Sequence, residues 1–161
     1  MEILRGGPDL VMVFDHYDHV ANCSPDMSKL NRILSENGIR GCIVTAWTAG
    51  KDVRGEAEPL DFVSRFLAPN LGINEDPATG SAHCCLALYW AAAKGLVQSG
   101  GEADLAANRE YASFKAKQMS PRGGYVDCAL RTNDAGVMET KLVGEVCDFM
   151  EAIIELEEVA E

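Results

Sequence analysis

The chain has 161 residues, enough for one domain that buries roughly 70% of its unfolded surface. Hydrophobic residues make up 47% of it and charged ones 24%, which excludes a disordered or fibrous polypeptide. A net charge of −11 with no dense Lys/Arg cluster argues against nucleic acid and anionic lipid surfaces as partners.

In chain order, Leu10 to Asp15 (LVMVFD) and Gly41 to Trp47 (GCIVTAW) are short apolar runs bounded by turn residues, as buried strands are. His16 and His19 flank Tyr17-Asp18 in an expected loop. Three residues apart and without a third ligand, they fall short of a metal site, and no metal is expected. In SPDMSKLNRILSENG, Ser24 precedes Pro25, and Met27, Leu30, Ile33 and Leu34 recur at helical spacing up to Asn37-Gly38. This predicts an outer helix over about 25–37. A polar loop, TAGKDVRGEAEPLD, leads to FVSRFLA (Phe62 to Ala68), whose alternation predicts a strand with one buried face.

The stretch NEDPATGSAHCCLALYWAAAKG (74–95) is the most informative part of the chain. Pro77 biases Asp76 toward extended backbone, which places Asp76 in a turn. Ser81 is a good N-cap, Lys94 suits the last-turn carbonyls and Gly95 suits a left-handed C′ position, so a helix is predicted over about 81–94. Cys84, Cys85, Leu86, Leu88, Tyr89, Trp90 and several alanines cover every side of it. A helix apolar all round should be enclosed, here by strands curling about it.

At its amino end the unpaired N–H groups of Gly80, Ser81 and Ala82, beside the Thr79 and Ser81 hydroxyls, form a nest for an anion. Asp76 next to that nest suits proton transfer on a small acidic substrate; simple capping is the competing reading. His83, on the first turn, is either a proton donor or a satisfied core residue. Cys84 is either an activated thiol near the positive helix end or packing.

Beyond KGLVQSGGEADLAANRE, the runs YASFKAKQMS and YVDCALRT are separated by PRGG in the manner of a hairpin. Val143 to Leu156 is ambiguous: Val146, Phe149, Met150, Ile153 and Ile154 have helical spacing that short strands imitate. ELEEVAE reads as a solvated tail. Six cysteines without a C-x-x-C pair, no basic apolar leader ahead of MEILRGGPDL and no apolar run of bilayer length make a reduced, cytoplasmic protein the expectation. Asn22 in NCS then carries no glycan. With no repeat or linker, residues 1–161 are expected to form a single α+β domain with more strand than helix.

SRFLAPNLGINEDPATGSAHCCLALYW closely resembles the signature of PhzF-like phenazine-biosynthesis isomerases, relatives of diaminopimelate epimerase. The similarity runs on through QMSPRGGYVDCALR and back through GCIVTA to DLVMVF. It implies a pair of similar halves, each a mixed, mostly antiparallel sheet wrapped about a central helix, with a substrate cleft between them; this chain resembles the C-terminal half only. It implies cofactor-free, metal-free isomerisation by proton transfer on a dihydro-hydroxyanthranilate-type ring acid. By motif, Asp76 and Ser81 are the catalytic candidates, and Thr79, Gly80, Ala82 and His83 the substrate-binding ones. Over Val143 to Leu156 it implies strand. The family's general-base glutamate and partner histidine belong to the other half, and neither NRILSENG nor ANREY resembles their motif. The resemblance leaves open a truncated reading frame, an excised domain and a subunit that pairs with a second copy or a separate N-terminal half. A thiol racemase would need two cysteines facing one carbon, which the Asp76–Ser81 turn does not offer. A non-catalytic anion-binding half is the other alternative.

Overall fold

The computed structural model describes residues 1–50, 53, 55–97 and 109–145. They form strands β1 (Glu2–Gly6), β2 (Asp9–Phe14), β3 (Cys42–Trp47), β4 (Phe62–Ala68), β5 (Ile73–Asp76), β6 (Glu110–Gln118), β7 (Gly124–Thr132) and β8 (Met138–Val143), and helices α1 (Tyr17–Ala21), α2 (Met27–Glu36) and α3 (Gly80–Ala93). The fold is α+β with a mixed, mostly antiparallel eight-stranded sheet in the order β1-β2-β3-β4-β6-β7-β8, β5 pairing with β4. Only β2 with β3 and β4 with β6 run parallel.

One edge of β4 is shared. Phe62–Ser64 pair with Ala116–Gln118 of β6, whereas Phe66–Ala68 pair with β5, so that Asp76 lies opposite Phe66. Because β6 runs parallel to β4 and β5 antiparallel to it, the carboxyl ends of β5 and β6 converge opposite Arg65. That convergence places the site described below.

Alternation along the strands divides the core in two. Val11, Val13, Ile43, Phe62, Phe66, Phe114, Ala116, Cys128 and Leu130 pack with Ala82, Leu86, Ala87, Trp90 and Ala91 of α3. On the opposite face Val44, Ala46, Val63 and Leu67 pack with Val20 of α1 and Leu34 of α2. β4 is therefore buried on both faces except at Arg65, not on one as its alternation suggested, since helices cover each side. Arg65 is tied to Glu75 at 2.7 Å and donates to the carbonyl of Cys23 at 2.6 Å, which fastens the end of α1 to the sheet.

The outer helix spans 27–36 within the expected 25–37, and its cap is Asp26, whose side chain accepts the Lys29 N–H at 3.0 Å, in place of Ser24. The His16–His19 stretch opens helix α1, with His16 as its cap. β1, β5 and β8 have no counterpart among the expected strands, while the 111–132 hairpin forms as expected. Gly95 takes the left-handed conformation expected of it, φ +70°. Of the ambiguous stretch from Val143 to Leu156, only residues 143–145 are among those described. No helix among the described residues is long and apolar enough to cross a membrane.

Candidate functional site

The backbone turns from β5 into α3 through Pro77, Ala78 and Thr79. Asp76 is the last residue of β5, not a turn residue: Pro77 demands extended backbone before it, and pairing with Phe66 supplies that backbone. Thr79 is the N-cap of α3 in place of Ser81, which lies one residue inside the helix. The Thr79 hydroxyl donates to Asp76 Oδ2, so it binds the acid and not the helix amides. Asp76 is half-buried and Thr79 nearly enclosed.

Gly80 and Ser81 are exposed at the first turn, and Ala82 is buried beneath it. Ser81 Oγ accepts a hydrogen bond from Arg40 Nη2 at 2.9 Å. Arg40 is itself clamped by Asp9, Nε to Oδ1 at 2.9 Å and Nη2 to Oδ2 at 2.5 Å, and the hydrogen bond with Asp9 raises the guanidinium pKa further. The Asp9 side chain is 2% exposed, so this pair is a fixed post beside the helix terminus. The first turn thus presents two stations, Asp76 with Thr79 and Ser81 with Arg40.

His83 lies at neither. It is wholly buried against Phe62, its Nδ1–H donates to the Thr79 carbonyl at 2.8 Å, and Ser64 Oγ stands 3.5 Å from Nε2. Burial lowers its pKa, which keeps the ring neutral and leaves Nε2 to accept from Ser64.

Residues distant in sequence brace the turn. Gln118, fully buried at the end of β6, accepts the Thr79 N–H at 2.8 Å and donates to the Asp76 carbonyl and to Thr79 Oγ1. Ser120 donates to the Pro77 carbonyl at 2.8 Å. Gly124 lets β7 approach, since a Cβ there would lie 3.1 Å from the Cβ of Ala78. Gln118, Ser120, Arg40 and Asp9 were not among the sequence candidates. QMSPRGG was legible as a strand and turn, and an isolated Gln at a strand end was the one available signal.

The exposed side of α3 carries a second feature. Leu88 is 50% exposed and Cys84 is exposed, so the helix is not enclosed on every side. Together with Leu4, Cys85, Tyr89, Ala92 and Val97 they line a groove of about 700 Å³ that reaches Arg40 and Ser81. The described thiols are free. Burial raises Cys85 and pushes Cys42 and Cys128 up to about 12, values that leave them protonated and inert at neutral pH. Among the described residues no three His, Cys, Asp or Glu side chains gather as a metal site.

Residues 2–152 match the family model described as phenazine biosynthesis-like protein, PhzC-PhzF. An uncharacterized isomerase of Pseudomonas aeruginosa is 35% identical over 130 residues, covering 81% of this chain and 39% of that protein. The phenazine biosynthesis-like domain-containing protein 1 of Mus musculus is 34% identical over 124 residues, 76% of this chain and 37% of its own. Among solved structures, a phenazine biosynthesis PhzC/PhzF protein from Clostridium difficile superposes with a TM-score of 0.65 at 28% identity, covering 93% of this chain and 46% of that one. A PhzF-family protein from Enterococcus faecalis gives a TM-score of 0.56 at 34% identity, over 88% and 45% of the two chains. The chain therefore spans less than half the length of these relatives, and over that span it belongs to the PhzF-like family of phenazine biosynthesis-like proteins.

Proposed function

We propose that this chain is one half of a cofactor-independent, metal-independent isomerase that moves a proton on a small cyclic carboxylic or amino acid. A second half or a second copy completes the cleft, and the expected setting is the cytoplasm. The observation that carries the reading is the Asp76 carboxylate, half-buried and bound by Thr79, beside the exposed first turn of α3. In this reading residues 1–161 are a single domain and the sheet curls about α3, in keeping with the side chains that β2, β3, β4, β6 and β7 all bring to the α3 core.

Asp76 orients the substrate or relays its proton, while the general-base glutamate implied by the resemblance comes from the other half. The N–H groups at Gly80, Ser81 and Ala82, with the Ser81 hydroxyl, meet the negative charge that develops. Arg40 already fills one acceptor position of that hydroxyl, so its hydrogen is directed elsewhere. His83 acts beneath the turn by holding the Thr79 carbonyl.

The test is deuterium uptake from D₂O by a dihydro-hydroxyanthranilate-type ring acid, followed by NMR. Asp76→Asn is expected to slow it by about 10²–10⁴-fold. Uptake that survives this substitution removes the proposal. A second reading, a binding half without catalysis, draws on the exposed first turn of α3 at Gly80 and Ser81. It is expected to show saturable binding of the ring acid with no uptake at all. A thiol racemase is the weakest alternative, since burial raises the pKa of the neighbouring Cys85 and Cys128 thiols and keeps them protonated.

A further inference from the structure

We propose that Gln118 is the positioning residue for the Asp76 carboxylate. The inference rests on the reading of Asp76 as the proton-transfer group. A carboxylate that moves protons must be held within about 0.5 Å of its productive place, best from a regular element. Asp76 ends its strand, and the residues that follow it, Pro77 and Ala78, offer its carboxylate no partner. Among the described residues its one side-chain bond is with Thr79, and a hydroxyl swings freely unless its acceptor side is also occupied.

Gln118 occupies it. Nε2 stands 3.2 Å from Thr79 Oγ1, which turns the Thr79 hydrogen toward Asp76 Oδ2. The other Nε2 hydrogen goes to the Asp76 carbonyl, and Oε1 accepts the Thr79 N–H at 2.8 Å. The amide has one consistent orientation, because only its oxygen can face an N–H. Gln118 is fully buried and stands at the end of β6, paired with Ser64 and Gly124 on either side. The two strand ends that converge opposite Arg65 are thus joined by one side chain, and a rigid strand reaches the acid through Thr79.

A glutamine that merely staples a loop would leave the same contacts, so the test separates the two roles. Two variants are made in the full chain, Gln118→Leu, which removes every bond, and Gln118→Glu, which keeps size and the acceptor but donates only when protonated. Hydrogen exchange at the Thr79 amide is read by NMR without any substrate. Turnover is read as deuterium uptake by the ring acid, with kcat and KM separated. Gln118→Leu is expected to speed Thr79 exchange at least about tenfold and to lower kcat by about 10²-fold with KM within about threefold. Gln118→Glu is expected to be impaired at neutral pH and to recover, relative to wild type at the same pH, as acidification protonates the introduced carboxyl group and restores a donor. That recovery belongs to positioning and not to stapling.

Unchanged kcat in Gln118→Leu overturns the proposal. So does a fall in kcat that simply tracks lost thermal stability, with no acid recovery in Gln118→Glu. If Thr79 exchange quickens as expected but Asp76→Asn leaves uptake intact, the reading of Asp76 has failed and Gln118 is a staple.

Discussion

His83 is the satisfied core residue of its two sequence readings and not the proton donor. A histidine on the first turn of a site helix invites a catalytic role, yet its ring is committed to the Thr79 carbonyl and to Ser64. Its lowered pKa has a testable sign. The unfolded chain takes up a proton near pH 6.5, and the buried ring does so only at lower pH. The stability it confers is intact above about 6.5 and declines as pH falls toward the lowered folded value, by at most about 1.4 kcal/mol per pH unit. Thermal melts between about pH 7.5 and about pH 5 should show this slope in wild type and a shallower one in His83→Gln. Arg40→Met tests the neighbouring post. It strands the Asp9 carboxylate, which is 2% exposed, and should cost about 2 kcal/mol in urea denaturation. That is below the roughly 3–5 kcal/mol of a fully enclosed pair, because the Arg40 side chain is 35% exposed.

At the scale of elements, α3 was legible almost to the residue: the apolar run, Lys94 and Gly95 mark its span, and it forms over Gly80–Ala93. Its surroundings were not legible. An apolar composition on every side reads as complete enclosure, but the described residues cover one side and leave Leu88 and Cys84 open. The two leucines of this helix supply the check. Leu86→Ala, at a fully buried position, should lose about 2–5 kcal/mol, and Leu88→Gln, at a half-exposed one, should stay within about 0.5 kcal/mol. Chemical denaturation of both variants measures the difference. Equal losses would mean that Leu88 is covered. β4 failed in the opposite direction, since the helices that bury its second face come from the segment before β3. Periodicity within a strand carries no record of such a distant cover.

For the whole molecule, the family could be read chiefly from the residues between Ser64 and Trp90 and the α+β class from the succession of elements, while the order of the sheet could not. The parallel pairing of β4 with β6 depends on a crossover that contains all of α3, and neither strand signals its neighbour. Gln118 was missed for the same reason: its significance exists only once that pairing is made. The chain spans less than half the length of the relatives it matches, so assembly is open to measurement. If two copies complete the cleft, light scattering after size exclusion should give twice the 17.4 kDa chain mass, and a strict monomer would rule that pairing out. The convergence opposite Arg65 also has a consequence for biosynthesis. The acidic corner leaves the ribosome 42 residues ahead of the glutamine amide that steadies its carbonyl. A nascent or prematurely terminated product would carry the Asp76 turn without the amide that braces it, and the turn would stay unbraced until the later hairpin had docked.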